Sequence, residues 1–407
     1  MTHRSSFRIA LVLAAAAPLL WACSDPLTSP AARGPDGSTP RLTVTPTNAF
    51  ADIDAGQTHS CGLTSAGQAW CWGRNAAGQL GDSSAAPTSV PVSVLQPAGV
   101  TFTQLTSGAV HNCALESSGQ AWCWGYNADG RLGDSTVVNP LMPVAVLPLG
   151  GVAFASLSAG NMHTCGLDAS GQGYCWGNNS FGQIGDSTLV GPATPVAVHQ
   201  PAGVTFSTIS AGGSHTCALA STGQAYCWGY GGDGALGNNS TLGSRVPIAV
   251  QQGALSFTQV VTEYQHTCAL TSAGQAYCWG RNDNAQLGDS TVTNRTVPTA
   301  VHQPGGVTFV SLATGSSYTC GLTSAGQAYC WGNNQFGSLG TGNTTAYRTP
   351  TAVSQPAGVT FTAVRTGAGH TCGLDTGGQT WCWGRNQYSQ MGDGTTTTRT
   401  SPVAVSH

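Results

Sequence analysis

The stretch His59–Gly73, HSCGLTSAGQAWCWG, decides the fold, because closely related versions of it return six more times along the chain. The first cysteine of each copy lies 51 or 52 residues after the first cysteine of the copy before it. A period of this length is typical of solenoids and propellers. We therefore expect a repeat protein whose seven units share one structure.

Within each unit, apolar and small residues alternate on both sides of a short turn, which is Ser65-Ala66-Gly67 in the first copy. This pattern predicts two antiparallel strands joined by a three-residue hairpin with glycine in the left-handed conformation. The turn also fixes the register, since a slip of one residue would move every side chain to the other face. In that register Cys61 faces Cys71, and His59 faces Gly73.

Each repeat has a second cysteine ten residues after the first, so every hairpin is expected to carry one cross-strand disulfide. Structural zinc is the alternative, but the cysteine pairs of zinc sites are usually much closer together in sequence. The expected disulfides are Cys61–Cys71, Cys113–Cys123, Cys165–Cys175, Cys217–Cys227, Cys268–Cys278, Cys320–Cys330 and Cys372–Cys382.

One period reads as four short strands, A to D, with turn signals between them and no helical periodicity. In the second repeat they are predicted at 102–105, 111–115, 121–124 and 143–146, and proline at the start of each D strand suits an edge position. The predicted fold class is all-β, a seven-bladed β-propeller with four short antiparallel strands and one disulfide per blade. Either the strand-like Leu42-Thr43-Val44 completes the last blade, or the seventh repeat closes the ring alone.

The chain before the repeats is predicted to be an export segment and a tether. Basic residues precede an apolar run, Ile9 to Leu20, that is short for a membrane span, so residues 1–22 read as a signal peptide of the lipoprotein type. Residues 23–47 are rich in Pro, Ser, Thr and Gly and read as a flexible linker, which leaves 48–407 for the propeller.

Cys23 is the one cysteine of fifteen that the hairpins leave unpaired. The sequence Leu20-Trp21-Ala22-Cys23 resembles the lipobox of bacterial lipoproteins, which predicts cleavage before Cys23 and acylation of its sulfur. The alternative is ordinary signal cleavage near Ala22, which would leave a free thiol.

Composition excludes several classes of function. Only 7% of the residues are charged and the formal charge is -3, so steering of nucleic acid is not expected. The sequence has no Gly-x-Ser-x-Gly elbow, phosphate loop or His-Glu-x-x-His motif. We expect no catalytic residues, no metal and no cofactor.

Three recurring residue types invite a chemical interpretation. A histidine two residues before the first cysteine suggests metal or acid–base work, the tryptophan after the second cysteine suggests a ligand box, and the aspartate of Leu-Gly-Asp suggests calcium. Repetition around a ring argues against all three, because a catalytic site needs one asymmetric arrangement. We expect hydrogen-bonded histidines, tryptophans that pack blade against blade, and aspartates that stabilise turns.

The repeats differ from one another on one side of the predicted ring. The B–C turns are nearly identical, whereas the A–B turns and C–D loops, which emerge together on the other side, vary and carry tyrosine, phenylalanine and arginine. Such residues on rigid loops are typical of protein-binding hot spots; the alternative is drift without binding. The candidate binding residues are Arg74, Tyr126, Asn178, Phe181, Tyr230, Tyr264, Arg281, Phe336, Arg385 and Tyr388.

The pattern G-x-x-H-x-C-x-L-x-x-x-G-x-x-x-x-W-G-x-N-x-x-G-Q-L-G resembles the regulator of chromosome condensation repeat, or RCC1-like, family. The resemblance covers about residues 48–407 and implies a seven-bladed propeller. Local departures are Glu263 for glycine, Tyr318 for histidine, Gly231 for asparagine, and Asn238 and Thr341 for aspartate. Functions hosted by this family are diverse, so the resemblance implies a fold more than an activity.

The expected function is a non-catalytic binding or scaffold propeller at the bacterial cell envelope, anchored through Cys23 or secreted. Its expected partner is an unidentified envelope or extracellular protein, with no nucleic acid, and the chain is expected to be a monomer. One alternative is a secreted hydrolase inhibitor, by resemblance to a beta-lactamase inhibitor built on these repeats. Another is guanine-nucleotide exchange on a small GTPase, which conflicts with the signal peptide and the cysteine pairing.

Overall fold

A computed structural model describes residues 49–147 and 150–406, and these form seven four-stranded antiparallel sheets. Each sheet takes its strands consecutively from one repeat, so the predicted seven-bladed propeller is confirmed. The strands, numbered β1 to β28 in chain order, are Phe50–Ala55, His59–Thr64, Ala69–Gly73 and Thr88–Ser93; Phe102–Ser107, His111–Glu116, Ala121–Gly125 and Val144–Ala145; Phe154–Ala159, His163–Asp168, Gly173–Gly177 and Val196–Ala197; Phe206–Ala211, His215–Ala220, Ala225–Gly229 and Ser244–Ala249; Phe257–Glu263, His266–Thr271, Ala276–Gly280 and Arg295–Ala300; Ser311–Thr314, Tyr318–Leu322, Ala328–Gly332 and Tyr347–Ala352; Phe361–Thr366, His370–Asp375, Thr380–Gly384 and Arg399–Ala404.

The register predicted for the central hairpin is also confirmed. His59 pairs with Gly73, and Cys61 pairs with Cys71. The turn glycine, Gly67, has a φ of 78°, and an added Cβ would lie 2.8 Å from the carbonyl oxygen of Phe102 in the next blade. Glycine is therefore required here both for the left-handed backbone and for the approach of the neighbouring blade.

All seven predicted cysteine pairs are disulfides in the structure, with a Cα–Cα distance of 4.1 Å in each. Every pair joins the two central strands, B and C, of its own blade. No blade is therefore linked covalently to another by these bonds, and the ring depends on packing and hydrogen bonding between blades.

The hydrophobic core is divided among the interfaces between successive blades. At the first interface, Trp124 and Phe102 of the second blade pack with Leu80 and Val92 of the first. The tryptophan after the second cysteine is completely buried in all seven blades. The prediction that these tryptophans pack blade against blade is therefore confirmed.

The seventh repeat supplies all four strands of the last blade, Phe361–Ala404, which then packs on the first blade. The backbone N–H of Phe50 donates to the carbonyl of Gly378 at 3.0 Å. The indole N–H of Trp72 donates to the carbonyl of Gln390 at 2.9 Å. The alternative strand Leu42-Thr43-Val44, the signal peptide, the linker and Cys23 lie outside the described residues.

The outer D strands differ in length from the prediction. In five blades the strand starts three residues before its proline, as in Thr88–Ser93 with Pro91 inside it, and its register with strand C shifts there. The shift lets proline sit in an edge strand without leaving a ladder hydrogen bond unmade. The second and third blades keep only Val144–Ala145 and Val196–Ala197.

Candidate functional site

The A–B turns and C–D loops lie together on one side of the ring, and we call this side the loop face. The residue after each Trp-Gly donates its backbone N–H to a carbonyl of the A–B turn in the same blade. Arg74 N–H, for example, donates to Thr58 at 3.0 Å, and Tyr126 N–H donates to Val110 at 2.9 Å. The backbone of the variable positions is therefore fixed in every blade. We call the opposite side, which carries the nearly identical B–C turns, the turn face.

A buried asparagine holds most of the C–D loops in shape. Asn75 accepts the N–H of Leu80 at 2.8 Å, and its amide group donates to Asp82 and to the carbonyls of Ser84 and Ala86. Five other blades repeat this arrangement with Asn127, Asn179, Asn282, Asn334 and Asn386.

The fourth blade has Gly231 at the asparagine position. A Cβ at Gly231 would lie 2.0 Å from the carbonyl oxygen of Leu242, so the loop backbone occupies the space of the missing side chain. A 3-10 turn at Gly232–Gly234 follows directly. The departure seen in the sequence is therefore a local collapse of one loop.

The loop aspartates are engaged in hydrogen bonds within their own loops. Asp289 accepts the N–H and hydroxyl of Thr291 and the amide of Asn282, and it pairs with Arg295. These bonds hold the pKa of Asp289 below its usual value against the effect of burial. Across residues 49–147 and 150–406, no group of three or more His, Cys, Asp or Glu is arranged to hold a metal ion. Each aspartate thus fills the turn-stabilising role expected from the sequence.

The recurring histidines link each blade to the next. Nε2 of His163 lies 2.8 Å from the hydroxyl of Thr216 in the following blade, and that hydroxyl donates to the carbonyl of Gln183. The indole N–H of Trp228 donates to the same carbonyl at 2.9 Å. Because the hydroxyl proton is already donated, Nε2 of His163 must carry a proton and donate it.

The same link repeats around the ring and also closes it. It joins His59 to Asn112, His111 to Thr164, His215 to Thr267, His266 to Thr319 and His370 to Ser60. Burial lowers the pKa of His59 and His215 to about 4, and that of His163, His266 and His370 to about 3. Burial also lowers the pKa of His111 well below its ordinary value. These histidines are neutral connectors between blades.

Tyr318 takes the place of histidine in the sixth blade and makes an equivalent connection. Its hydroxyl donates to the carbonyl of His370 at 2.5 Å and lies 3.0 Å from the hydroxyl of Thr371, which donates to the carbonyl of Ser338. Tyrosine is therefore compatible with this position, provided that the next blade supplies a hydroxyl and a carbonyl.

The candidate binding residues are brought together on the loop face, and several contact one another between blades. The guanidinium of Arg74 lies 5.0 Å from the ring centre of Tyr388 in the seventh blade. Arg385 lies 4.9 Å from the ring of Phe336 in the sixth blade. The rings of Phe181 and Tyr230 meet edge to face at 5.3 Å. Arginine–aromatic and aromatic–aromatic pairs of this kind order the side chains of an exposed surface.

The other candidates are held within their own blades. Arg281 pairs with Asp283 and donates to Gln265 at 2.8 Å. Asn178 accepts the amide of Gln183 at 3.0 Å. Phe181 and Tyr264 are exposed, and the remaining candidates are half-buried.

Arg131 is a loop-face residue that the sequence reasoning missed. Its side chain is buried, it pairs with Asp129, and it donates to the carbonyl of Asn161 at 2.7 Å. Its guanidinium also lies 4.9 Å from the ring centre of Tyr126. The signal was present, because Arg131 stands where the first repeat has Gln79 in Gly-Gln-Leu-Gly.

The innermost A strands line a central channel, with a cavity of about 290 Å³. Asp54, Glu263 and Arg365 break its otherwise uncharged wall. Burial raises the pKa of Glu263 to about 8, with a smaller contribution from Asp54, whose own pKa is raised by burial. Glu263 replaces a glycine of the other A–B turns, so the channel mouth holds one carboxyl group that is largely protonated at neutral pH.

None of the helices among the described residues is long and apolar enough to span a membrane.

The fold and the loop face define a seven-bladed propeller with a constant framework and one variable side. The family model of the RCC1-like domain matches residues 141–407. Models of the Regulator of chromosome condensation (RCC1) repeat match residues 50–79, 102–131 and 66–115. The chain therefore belongs to the RCC1-like repeat family.

Among curated relatives, the ultraviolet-B receptor UVR8 of Arabidopsis thaliana is 28% identical over 87% of this chain and 81% of its own length. The mitochondrial RCC1 domain-containing protein RUG3 of the same plant is 31% identical over 71% of this chain and 66% of its own length. The human E3 ubiquitin-protein ligase HERC2 is 29% identical over 77% of this chain, but the match spans only 7% of HERC2.

Two solved structures share the fold closely. Human WBSCR16 gives a TM-score of 0.75 at 22% identity, covering 84% of this chain and 94% of that one. Prp20p from Saccharomyces cerevisiae gives a TM-score of 0.75 at 20% identity, covering 88% of each chain. At these identities the likeness shows the architecture alone.

Proposed function

We propose that this protein is a non-catalytic binding or scaffold propeller that recognises a protein partner through its loop face. One observation carries the proposal. The repeats differ mainly at loop positions whose backbones are hydrogen-bonded to the framework, and these positions hold tyrosine, phenylalanine and arginine. Rigid aromatic and arginine side chains lose little conformational entropy on binding, and they dominate the energetics of protein interfaces.

Relatives support a binding function without defining the partner. UVR8 is named as a receptor, and Prp20p is described with binding properties to Gsp1p and histones. These descriptions apply to the relatives, however, and do not identify what the loop-face residues of this chain bind. The partner must therefore be identified by experiment with this protein.

We further propose that the protein is exported and works at the cell envelope, either anchored by acylated Cys23 or released. Support comes from the seven disulfides, since such bonds persist in oxidising compartments and are rare in the cytosol. The amino-terminal sequence, with basic residues before an apolar run and Leu-Trp-Ala-Cys at its end, supports the same location.

The test is quantitative binding with matched variants. Envelope proteins captured by immobilised chain 24–407 would be purified, and their affinity would be measured for the wild type, for a loop-face variant and for a turn-face control. The loop-face variant combines Phe181→Ala with Tyr264→Ala, because both side chains are exposed. The control is Ala66→Phe, which changes the exposed B–C turn of the first blade.

We expect the loop-face variant to lower the affinity for a specific partner by at least about tenfold and the control to leave that affinity unchanged. Equal affinity of all three proteins for every captured partner would refute recognition through the loop face. A captured hydrolase whose turnover falls on binding would instead assign the inhibitor function.

A further inference from the structure

One loop position carries an aromatic side chain in three blades, a polar one in three others and alanine in the first blade. Phe181, Phe336 and Tyr388 occupy the same loop position in the third, sixth and seventh blades, and the first blade has Ala77 there. The backbone is equivalent, because the N–H groups of Ala77, Phe181 and Tyr388 each donate to a glutamine side chain two residues on, at 2.8, 3.0 and 3.0 Å. The first blade therefore lacks only the ring.

In the third, sixth and seventh blades this ring contacts the next blade, at the residue after Trp-Gly. Phe181 meets Tyr230, Phe336 meets Arg385, and Tyr388 meets Arg74. The residue after Trp-Gly that follows Ala77 is Tyr126, which is equivalent to Tyr230. Tyr126 thus has no aromatic neighbour from the first blade at the position where Tyr230 has one.

The missing ring leaves a cavity of about 370 Å³ between the first and second blades. Its wall includes the methyl groups of Ala76 and Ala77, the side chain of Val110 and the ring of Tyr126, with Arg74 and Asn139 also lining it. Arg131 lies over the Tyr126 ring but does not line the cavity. It therefore holds the ring in place without occupying the cavity. Asn139 is fixed as well, since it accepts the N–H of Asn127 at 2.7 Å.

An exposed apolar segment adjoins the cavity. Val137 and Val138 precede Asn139 and are 62% and 68% exposed, and Leu141 and Met142 follow it and are also exposed. The space that a Cβ at Gly78 would need is occupied by Pro140 and Leu141, so this segment packs directly beside Ala77. Several exposed apolar side chains next to a preformed cavity are typical of a protein interface.

We propose that this cavity, the Ala77 site, receives an aromatic side chain of the partner protein, which takes the place that Phe181 takes in the third blade. The ring packs edge to face on Tyr126 beside the guanidinium of Arg74, while the exposed segment 137–142 contacts the residues around it. The inference rests on the proposed function and names the point on the loop face where the partner is anchored.

The experiment closes the site by placing at Ala77 the residue that another blade of this chain has at the same position. Ala77→Phe gives the first blade the ring that the third blade has, and it should fill the cavity without disturbing the fold. Tyr126→Asn is a second variant that removes the far wall, because Asn178 and Asn333 occupy that position in two other blades. Ala66→Phe on the turn face controls for an added exposed aromatic residue, and thermal unfolding of all variants checks the fold.

The first probe is 4-fluorophenol, followed by fluorine NMR. We expect saturable binding to the wild type and to Ala66→Phe, and none to Ala77→Phe or Tyr126→Asn. Identical binding to the wild type and Ala77→Phe, or no saturable binding to the wild type up to the probe's solubility, would overturn the proposal.

The second probe is a random peptide library displayed on phage and selected on the wild type, with Ala77→Phe as counter-selection. We expect the selected peptides to share an aromatic residue whose replacement by alanine lowers affinity by at least about tenfold. Selected peptides that bind wild type and Ala77→Phe equally would refute the Ala77 site. If they still lost affinity for the Phe181→Ala, Tyr264→Ala double variant, recognition through the loop face would stand while its anchor was wrong.

Discussion

Acidification from about pH 8 to pH 5 is expected to destabilise this propeller strongly, because six buried histidines connect the blades in their neutral form and charging them would place cations in the interior of the ring. Burial lowers their pKa to about 3 or 4 where it is resolved to a value, as for His59 and His163. An unfolded histidine has a pKa of about 6.5, so the unfolded chain binds more protons than the native protein below that pH. The stability that depends on these histidines is present above about pH 6.5 and is lost as the pH falls toward 4.

The magnitude follows from the difference between the two pKa values. At pH 5 each histidine whose pKa is lowered to about 3 or 4 destabilises the native state by about 2 kcal/mol relative to pH 8, so the five of them give about 10 kcal/mol. Glu263 acts in the opposite direction, because burial raises its pKa to about 8 and acid removes the cost of keeping it uncharged. That change restores about 3 to 4 kcal/mol over the same range. The net loss of about 6 to 7 kcal/mol is comparable to the whole stability of many domains.

The assay is denaturant unfolding at a series of pH values with the disulfides intact, followed by the fluorescence of the buried tryptophans. The slope of unfolding free energy against pH gives the number of protons taken up. The matched variant is His163→Tyr, because Tyr318 shows that tyrosine can join a blade to a threonine hydroxyl in the next one. His163 faces such a hydroxyl on Thr216.

We expect at least about four protons to be taken up by the wild type near pH 5, from five histidines less the proton that Glu263 releases, and about one fewer by His163→Tyr. Asp289 and Asp393 have lowered pKa values and lose their contribution only at more acidic pH, whereas Asp54, whose pKa is raised by burial, offsets part of the proton uptake as Glu263 does. These carboxylates are the same in the wild type and in His163→Tyr, so the difference between the two proteins isolates the histidine. A midpoint that does not change between pH 7 and pH 5, or an equal slope for His163→Tyr, would refute the role of neutral histidines as connectors.

Three further predictions concern the disulfides and the channel. Replacing Cys113 and Cys123 together by serine should lower the unfolding free energy by about 3 kcal/mol in denaturant titrations, because the unfolded chain regains the entropy of a loop closed across ten residues. An unchanged unfolding midpoint would contradict this. Glu263→Gln should stabilise the protein by about 4 kcal/mol at pH 8 and by little near pH 4.5, because burial penalises only the charged form of the carboxyl group. Equal stabilisation at the two pH values would show that Glu263 is hydrated. Protein taken directly from its native host can be alkylated without reduction and analysed by mass spectrometry. We expect the fourteen hairpin cysteines to be unmodified, because they form disulfides. Fourteen labelled thiols would exclude export to an oxidising compartment.

Much of the framework could be predicted from the sequence because it is local. The turn glycine Gly67 fixes the register of one hairpin, and that register alone places Cys61 opposite Cys71. The period of the repeat then copies the result to every blade. The sequence does not decide how the ring closes, because closure depends on contacts such as that of Phe50 with Gly378, and these residues are separated by nearly the whole propeller.

The side-chain pairs on the loop face could not be predicted in the same way. Arg74 and Tyr388 lie at opposite ends of the repeat array, and they meet only because the ring closes. The D strands were placed imprecisely for a related reason. The bulge that admits Pro91 depends on pairing with strand C and leaves no signal in the local sequence. Arg131 was overlooked because a charged residue in a loop usually faces solvent, whereas here the ring of Tyr126 and the carbonyl of Asn161 enclose it.

The repeated connection from histidine to hydroxyl to carbonyl explains where a function can reside on this ring. Each copy, such as His163 with Thr216 and the carbonyl of Gln183, joins two blades, so a substitution there weakens an interface whatever the protein binds. The loop positions after Trp-Gly are joined to the framework through their backbone N–H groups, whereas side chains such as Arg74 and Arg281 pair with other loop side chains and are not part of this connection between blades. Specificity can therefore arise from a few loop side chains. The missing aromatic ring at Ala77 shapes the loop face as much as the rings that are present in other blades, because it leaves a cavity.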